Sequence, residues 1–336
     1  MNSQVMADDR WIGHHGIGRF AREVLLRLGD YEPVPVRTDH LSPLDPIRLH
    51  KMLRRLRPAV YFSPGFNPPF RCPVPLVFCI HDLIHLRMDG ESGFRRWLYY
   101  KCFVKSGVNR ACRVLTVSEY SKREIVSLLG VEPEKVVVVG NGVGAAFTDT
   151  GESYQASRPY VLYVGNAKPH KNIPRLLEGY ARSGIDKDID IKLTVSSTDG
   201  FLNLVHRLGV IGKVAFLGAL SDEQLGPLYR GAMCVACPSL LEGFGLPIVE
   251  SMSCGTPVVA SDRTSIPEVT GDAALLFDPE NVEAIAQSLR RICEDVSLRS
   301  QMRERGLMRV KQFSWDRTAG LVRDVLAAAC ESSQQM

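Results

Sequence analysis

The chain has 336 residues, of which 45% are hydrophobic and 23% are charged, with 41 Lys and Arg against 37 Asp and Glu. This length predicts two domains of about 150 residues each, and the composition is that of a globular protein. No apolar run approaches the roughly 18 residues that a membrane span needs. The first residues also lack the basic region and apolar core of a secretory signal. We therefore expect a cytoplasmic protein without a transmembrane segment.

The nine cysteines do not form the pattern of a disulfide framework, because several lie in apolar runs as small buried hydrophobic residues do. Cys234-x-x-Cys237 has the spacing of a redox or zinc motif. It falls inside a predicted strand, where its two side chains point to opposite faces, and no second ligand pair accompanies it. The sequence thus predicts no metal site and a reducing compartment.

The first half alternates short apolar runs with amphipathic stretches. Residues 19–28 have the spacing of a helix, and buried strands are predicted at residues 60–63, 76–80, 114–117 and 136–139. Ser121 and Glu124 have the spacing of a capping box, which predicts a helix that begins there and ends at Gly130. Strands that alternate with helices predict a parallel sheet wound on both faces.

The polar stretch at residues 148–159 is a predicted linker, after which a second alternating series begins. Its predicted strands are residues 160–164, 191–195, 214–217, 234–237 and 257–261, and its predicted helices are residues 173–181, 222–230 and 315–329. We therefore divide the chain into a first domain at 1–153, a second domain at 158–312, and a C-terminal helical segment at 313–336.

The most informative stretch, residues 239–257, reads as the end of a buried strand, a loop and the start of a helix. Glu242 and Glu250 lie eight residues apart in it, around the turn Gly243-Phe244-Gly245. Glycines let backbone approach a ligand closely, and Pro247 fits the first turn of a helix, whose exposed amides favour an anion. Amides for phosphates and carboxylates for hydroxyls suit a sugar nucleotide.

This stretch resembles the Glu-x7-Glu signature of the retaining GT-B glycosyltransferases, the group 1 enzymes that are similar to glycosyltransferase family 4. Other segments resemble further motifs of that family in the expected order: 13–19, 81–82, 118–121, 141–143, 165–172 and 266–276. The resemblance spans nearly the whole chain. It implies an α/β fold of the GT-B type, with two doubly wound Rossmann-like domains facing each other across a cleft and a last helix that crosses back to the first domain.

In the first domain, the glycine-rich loop resembles a family loop that approaches the donor phosphate and the acceptor. The resemblance places Gly16 and Gly18 in this loop, with His15 in place of the first of two usual glycines. His81 resembles the family histidine near the anomeric centre of the donor sugar. Ser118 and Ser121 match a further family segment, although helix capping explains both residues equally well.

In the second domain, Lys171 matches the lysine that binds the donor diphosphate in the family. Many members place an arginine where this chain has Asn166, so Lys168 is a candidate for the missing charge. Leu217 lies in a segment that resembles the lining of the nucleobase pocket. A second departure is Gly144, which replaces an aspartate of the family's Asn-Gly-Val-Asp motif.

The resemblance implies a metal-independent, retaining hexosyltransferase that uses a nucleotide sugar as substrate and needs no cofactor. Glu242 would contact the sugar hydroxyls and Glu250 the ribose, while His81 would orient the sugar or the acceptor. Lys171 would stabilise the diphosphate together with backbone amides of the turn and the helix start, namely Gly243, Phe244, Gly245 and Leu246. GDP-mannose is the predicted donor and a lipid-linked or nascent glycan the predicted acceptor, as in the synthesis of O-antigen lipopolysaccharide.

The first 153 residues hold 21 Lys and Arg against 16 Asp and Glu, whereas the remainder holds 20 against 21. Residues 48–57 and 93–105 mix cations with apolar side chains at helical spacing, a pattern typical of helices on anionic bilayers and also of ordinary surface helices. A peripheral contact with the inner membrane face is therefore one prediction, and no motif favours nucleic acid. Two other functions remain open: a sugar-nucleotide epimerase of the same fold, and a non-catalytic sugar-nucleotide or glycan-binding subunit.

Overall fold

The computed structural model describes residues 5–13, 15–36, 38–87 and 103–334. Its internal contacts divide the chain into two compact units, Met1–Gly142 with Ser314–Met336, and Val143–Phe313. The predicted basic segment at 93–105 falls almost entirely outside the described residues. Within the described part of the chain, no helix is both long enough and apolar enough to cross a bilayer.

The first unit is built on a six-stranded sheet in the order β2-β1-β3-β4-β5-β6, and all of its neighbouring strands are parallel. Its strands are β1 Val5–Ala7, β2 Glu32–Pro33, β3 Val60–Ser63, β4 Leu76–Cys79, β5 Arg113–Thr116 and β6 Val136–Val138. Its helices are α1 Gly16–Leu28, α2 Asp45–Leu56, α3 Ile84–Arg87, α4 Lys105–Arg110, α5 Glu119–Leu129 and, after the second unit, α13 Trp315–Gln334.

The second unit is also built on a six-stranded parallel sheet, in the order β12-β11-β10-β7-β8-β9. Its strands are β7 Tyr160–Tyr163, β8 Asp190–Leu193, β9 Val214–Phe216, β10 Cys234–Cys237, β11 Val258–Ser261 and β12 Ala274–Phe277. Its helices are α6 Ile173–Ser183, α7 Asp199–Arg207, α8 Asp222–Gly231, α9 Leu246–Ser253, α10 Ile266–Thr270, α11 Val282–Glu294 and α12 Val296–Arg309.

These two parallel sheets confirm the α/β prediction, and strands β3 and β10 have the predicted bounds. The predicted capping box at Ser121 is wrong. Ser118 is the N-cap of α5, because its backbone is extended and its hydroxyl accepts a hydrogen bond from the Ser121 amide at 3.0 Å. Ser121 therefore lies inside the helix, and the serine three residues earlier begins it.

The change from one unit to the other comes after Gly142, ahead of the polar stretch that predicts a linker at 148–159. The burial of Phe147 explains why the boundary between the units lies before this polar stretch. Its ring is 1% exposed and lies edge-to-face against Tyr229 of α8, with ring centroids 5.6 Å apart. Because this aromatic side chain is buried in the core of the second unit, the residues around it belong with that unit.

Each sheet has one point where the strand order reverses. In the first unit it lies between β1 and β3, and in the second between β7 and β10. The loops that follow two such strands diverge, which leaves a crevice at the carboxyl ends of the strands, and ligands of open α/β sheets bind there. The functional motifs of the chain should therefore lie in the loops after these strands.

Helices α6 and α11 of the second unit pack closely because α6 has a glycine where they meet. A Cβ atom on Gly179 would lie 2.5 Å from Cγ2 and 2.9 Å from Cβ of Ile285. Gly320, in α13 of the first unit, has nothing within 4 Å of the corresponding position. The two glycines therefore have the same intrinsic cost in a helix but different surroundings.

We predict that Gly179→Ala lowers the thermal midpoint and that Gly320→Ala raises it. Alanine is favoured over glycine in a helix by about 1 kcal/mol. At Gly179 this gain is outweighed by overpacking, which costs roughly 1–3 kcal/mol in a well-packed core. Calorimetry of both variants tests the prediction, and a rise of the midpoint in Gly179→Ala would contradict the described packing of α6 on α11.

Candidate active site

The loop after β7 is held to its neighbours by Asn172. This residue has a left-handed backbone (φ 59°), and its amide nitrogen donates to the carbonyl of Pro238 at 3.0 Å and to that of Pro279 at 2.8 Å. The two acceptors follow β10 and β12, so one buried side chain ties three loops together. The preceding turn of 3-10 helix, Pro169–Lys171, places Lys171 beside the loop after β10.

Lys171 and Glu242 meet at the point where the strand order of the second sheet reverses. The Lys171 Nζ atom lies 2.6 Å from Oε1 of Glu242, and the two side chains are 13% and 9% exposed. The hydroxyl of Ser239 donates to the same Oε1 atom at 2.8 Å. The other carboxylate oxygen, Oε2, has no hydrogen bond to any described residue and remains available to a ligand.

The backbone of Glu242 is fixed as firmly as its side chain. Its amide donates to the hydroxyl of Thr264 at 3.1 Å, and its carbonyl accepts from the hydroxyl of Ser265 at 3.0 Å. Both partners follow β11, the strand beside β10. The carboxylate is therefore positioned by groups from three neighbouring loops, which is the kind of support that a preorganised site requires.

Helix α9 begins immediately after this loop, with Gly245 as its N-cap. Gly245 has a left-handed backbone (φ 97°) and offers no side-chain hydrogen bond to the first turn, where Pro247 occupies an early position. Amides at a helix N-terminus carry the positive end of the helix dipole. A glycine cap places no side chain over the first turn, which is also a feature of helix N-termini that bind phosphate.

Glu250 lies in the second turn of α9, with its side chain almost entirely buried at 3% exposure. The hydroxyl of Tyr229, from α8, donates to Oε2 of this carboxylate at 2.8 Å. Tyr229 is itself fully buried, so the hydrogen bond is shielded from water. A buried carboxylate that receives a directed hydrogen bond is held in one orientation.

No metal site accompanies these carboxylates within the described residues, since no group of three or more His, Cys, Asp or Glu side chains is placed to hold an ion.

Burial, followed by the nearby charge of Glu242, raises the pKa of the Cys237 thiol to about 12. This thiol is therefore protonated at neutral pH and unreactive.

The glycine-rich loop of the first unit is held by contacts within the loop and with the start of α1. His15 is the N-cap of α1, and its Nδ1 atom accepts a hydrogen bond from the Gly18 amide at 3.0 Å. A Cβ atom on Gly18 would lie 2.5 Å from the backbone of Gly13, so this glycine is needed for close packing of the loop. Gly16 is exposed at the start of the helix. The histidine thus occupies the amide of Gly18 in this loop.

His81, which follows β4, is buried and held by a hydrogen bond between its Nε2 atom and the carbonyl of Pro64 at 2.8 Å. Burial lowers the pKa of the imidazole, so the ring is neutral at physiological pH. The neutral ring donates from Nε2 and leaves Nδ1 as an acceptor. The hydroxyl of Ser121 in turn donates to the His81 carbonyl at 2.9 Å, which fixes the backbone of the histidine.

Other predicted residues of the second unit lie in the loops after β7 and β9. Asn166 and Lys168 are exposed, and the Asn166 side chain accepts a hydrogen bond from the Lys168 amide at 3.1 Å. The neighbouring His170 is buried, so it does not present a side chain to solvent. Leu217 follows β9 and is partly exposed, with its amide bonded to the carbonyl of Leu193.

Three supporting residues were not assigned a role from the sequence. Tyr229 precedes Glu250 by 21 residues, and Thr264 and Ser265 follow Glu242 by 22 and 23. Their local sequence contains no signal for these contacts, because helices and strands with other partners intervene. Only the packing of neighbouring elements brings them to the two glutamates.

Two family models cover most of the chain. The model "Glycosyltransferase Family 4" matches residues 10–147, and the model "Glycosyl transferases group 1" matches residues 151–308. The match of the second model includes the Lys171–Glu242 pair and helix α9.

Individual proteins are similar over much of their length. O-antigen chain mannosyltransferase B of Escherichia coli is 34% identical over 287 residues, which is 81% of this chain and 75% of that protein. The MMP alpha-(1->4)-mannosyltransferase of Mycolicibacterium hassiacum is 32% identical over 261 residues, or 73% of this chain and 63% of that protein.

Among solved structures, Anabaena HepE in complex with UDP-glucose superposes with a TM-score of 0.76 over 96% of this chain and 99% of its own, at 17% identity. A similarity at this identity concerns the fold alone. Taken with the two family models and the 34% identical relative, it leads to one conclusion. The chain belongs to the group 1, family 4-like glycosyltransferases, and its two parallel sheets are those of the GT-B fold.

Proposed function

We propose that this protein is a retaining, metal-independent mannosyltransferase that moves mannose from GDP-mannose to a lipid-linked or growing glycan, as in O-antigen synthesis. The observation that carries the proposal is the ion pair between Lys171 and Glu242, which lies where the strand order of the second sheet reverses. The choice of mannose and of an O-antigen acceptor is supported by the name of the Escherichia coli relative.

The donor diphosphate would bind where Lys171 and the first turn of α9 meet the loop of Gly243 and Phe244. Transfer breaks the bond between the anomeric carbon and the diphosphate, so negative charge develops on the leaving group. A preorganised cation and helix amides stabilise that charge where water is excluded. Lys168, exposed on the same turn as Lys171, would add a second cation, whereas Asn166 is neutral.

The sugar and the ribose would be bound by the two glutamates. Lys171 and Ser239 both donate to Oε1 of Glu242, so Oε2 would accept hydrogen bonds from sugar hydroxyls. Glu250, oriented by Tyr229, would accept from the ribose hydroxyls. A carboxylate is the natural acceptor for a hydroxyl pair because, when ionised, it has only acceptor positions.

Retention of configuration would follow from attack on the face that the diphosphate leaves. The acceptor hydroxyl forms the new bond to the anomeric carbon, and its proton passes to an oxygen of the departing diphosphate. His81 is proposed to orient a sugar or acceptor hydroxyl through Nδ1, because its Nε2 atom is committed to Pro64. No base other than the leaving group is then required.

The function is tested by thermal shift and by product analysis. A ligand at about 100 times its Kd stabilises the native state by roughly 2.7 kcal/mol, and one that binds more weakly stabilises it less. We therefore expect GDP-mannose, as the proposed donor, to raise the thermal midpoint more than UDP-, ADP- or dTDP-sugars at the same concentration. Nuclear magnetic resonance of the transfer product should show the anomeric configuration of the donor. An inverted product would exclude the retaining mechanism, and a preference for another nucleotide would exclude GDP-mannose.

We predict that Lys171→Met and Glu242→Gln each lower kcat by about a hundredfold or more, the range seen when one preorganised transition-state contact is removed. The double variant provides the control, because each residue is the ion-pair partner of the other. If the pair only supported the fold, removing both charges together would restore activity. We expect the double variant to regain thermal stability and to remain inactive.

We predict that Tyr229→Phe raises KM for the donor about tenfold with little change in kcat, because a hydrogen bond to a charged group contributes roughly 1.5–3 kcal/mol. Tyr160→Phe is the matched control, since that buried tyrosine donates to the carbonyl of Leu228 and not to a glutamate. Discrimination against a 2′- or 3′-deoxyribose donor should weaken in Tyr229→Phe alone. Equal discrimination in both variants would remove Glu250 from ribose binding.

A further inference from the structure

His15 carries a hydrogen-bond donor that no described residue uses. Its Nδ1 atom accepts from the Gly18 amide at 3.0 Å, so in the neutral ring the proton is on Nε2. Partial burial, followed by the charge of nearby His40, lowers the pKa of this imidazole, and the ring is therefore neutral at physiological pH. Part of the side chain remains exposed. His15 thus presents one N–H group to a ligand.

His81 is a neutral histidine of the opposite tautomer. Its Nε2 atom donates to the carbonyl of Pro64 at 2.8 Å, which leaves Nδ1 as an acceptor. Nδ1 has no hydrogen bond with any described residue, although the residue is only 8% exposed. A polar atom in such surroundings normally has a partner, so this nitrogen favours a ligand that donates to it.

The loops that follow β1, β3 and β4 are held together around these two rings. Trp11, in the loop after β1, packs against Gly65 after β3, where a Cβ atom would lie 2.2 Å from the indole ring. Pro64, the neighbour of Gly65, accepts the hydrogen bond from His81 after β4. The strand order of the first sheet reverses between β1 and β3. The three loops therefore border the crevice in which an open α/β sheet binds its ligand.

Helix α1 brings His15 to the same place. Phe20, in the second turn of α1, lies edge-to-face against the His81 ring, with ring centroids 4.8 Å apart. His15 is the N-cap of this helix, one turn before Phe20. Burial is the main cause that lowers the pKa of His81, and nearby His15 lowers it further. The donor of one ring and the acceptor of the other therefore belong to one cluster.

One neutral donor and one neutral acceptor restrict the chemistry of the ligand. An ionised phosphate has only acceptor oxygens, so it could bind His15 but would leave His81 without a partner. A metal ion would need a lone pair on each nitrogen, whereas Nε2 of His15 carries a proton. A hydroxyl both donates and accepts, and a sugar ring carries several hydroxyls. The pair therefore fits a carbohydrate.

We propose that His15 and His81 bind hydroxyls of the same sugar, with Nε2 of His15 donating and Nδ1 of His81 accepting. Two contacts define the orientation of a sugar ring, whereas one leaves it free to turn, and orientation is a large part of what a transferase must supply. The inference rests on the proposed function for the identity of the carbohydrate, which is the acceptor glycan or the mannose of the donor.

Two substitutions of His15 separate ligand binding from helix capping. Asparagine has its polar atoms two bonds from Cβ, as Nδ1 is, and it is among the favoured N-cap residues. Glutamine has its polar atoms three bonds from Cβ, as Nε2 is. His15→Asn should therefore keep the thermal midpoint and lose the sugar contact. His15→Gln should lower the midpoint and keep the contact.

The test is isothermal titration calorimetry of the full chain with α-mannobiose, GDP-mannose and GDP. We expect His15→Asn to weaken the binding of one mannose-containing ligand about fivefold, the effect of one hydrogen bond between uncharged groups. Weaker binding of α-mannobiose assigns the contact to the acceptor, and weaker binding of GDP-mannose assigns it to the donor sugar. GDP lacks the mannose, so its affinity should not change. His206→Asn, at an exposed histidine of α7, is the matched control and should bind all three ligands unchanged.

A third variant tests whether the two histidines share their ligand. His81→Gln keeps a donor three bonds from Cβ for the Pro64 carbonyl and removes the acceptor Nδ1. It should weaken the binding of the same ligand that His15→Asn weakens. Weaker binding of a different ligand, or of none, would contradict a shared sugar.

The proposal is overturned if His15→Asn binds α-mannobiose and GDP-mannose as the unaltered chain does. It is also overturned if GDP binding weakens to the same extent, since His15 would then contact a phosphate. Equal losses in His15→Asn and His15→Gln would assign the effect to the helix cap. Calorimetry needs no turnover, so a failure to transfer mannose would reject the proposed function while the comparison of the variants still decides the role of His15.

Discussion

The ion pair between Lys171 and Glu242 is the interaction on which the candidate site depends. Two opposite charges that are largely removed from water need each other, since the loss of one leaves the other uncompensated. Here Ser239 adds a hydrogen bond to the same carboxylate oxygen, and Asn172 holds the loop that carries the lysine. The pair gives each of these two charges its partner.

The two units differ in how a helix beside the reversal point begins: α1 follows β1 in the first unit, and α9 follows β10 in the second. In the second unit, Gly245 caps α9 without a side-chain hydrogen bond; Pro247 has no amide hydrogen, and the Ile248 amide donates to the Gly245 carbonyl at 2.9 Å. In the first unit, the His15 side chain accepts a hydrogen bond from the Gly18 amide in the first turn of α1. The amide of Gly18 is therefore occupied by a side chain of its own unit, whereas no side chain caps α9.

Buried charge also shapes the surface of the first unit. Arg10 binds Asp8 and Asp45 together, with Tyr61 and Asn67 donating to the same two carboxylates. Removing these three charges from water costs free energy. The cost is offset because each carboxylate oxygen and each donor of the guanidinium has a partner. One consequence is internal, since the network ties the loop after β1 to the start of α2. The other is external, since the acidic residue of α2 no longer opposes its cations.

The sequence by itself determined the α/β class, the chain order of strands and helices, and the positions of the motifs after strand ends, because hydrophobic periodicity and glycine or proline placement are local properties. The strand at 234–237 and the helix that starts near Pro247 follow from them. Contacts between residues that are far apart in the sequence could not be predicted in this way. Lys171 and Glu242 are 71 residues apart, and they meet only because β10 returns beside β7. Tyr229 on Glu250, His15 on Gly18, and the burial of Asp45 were decided by tertiary packing, since each depends on which elements share an edge and not on the residues beside it.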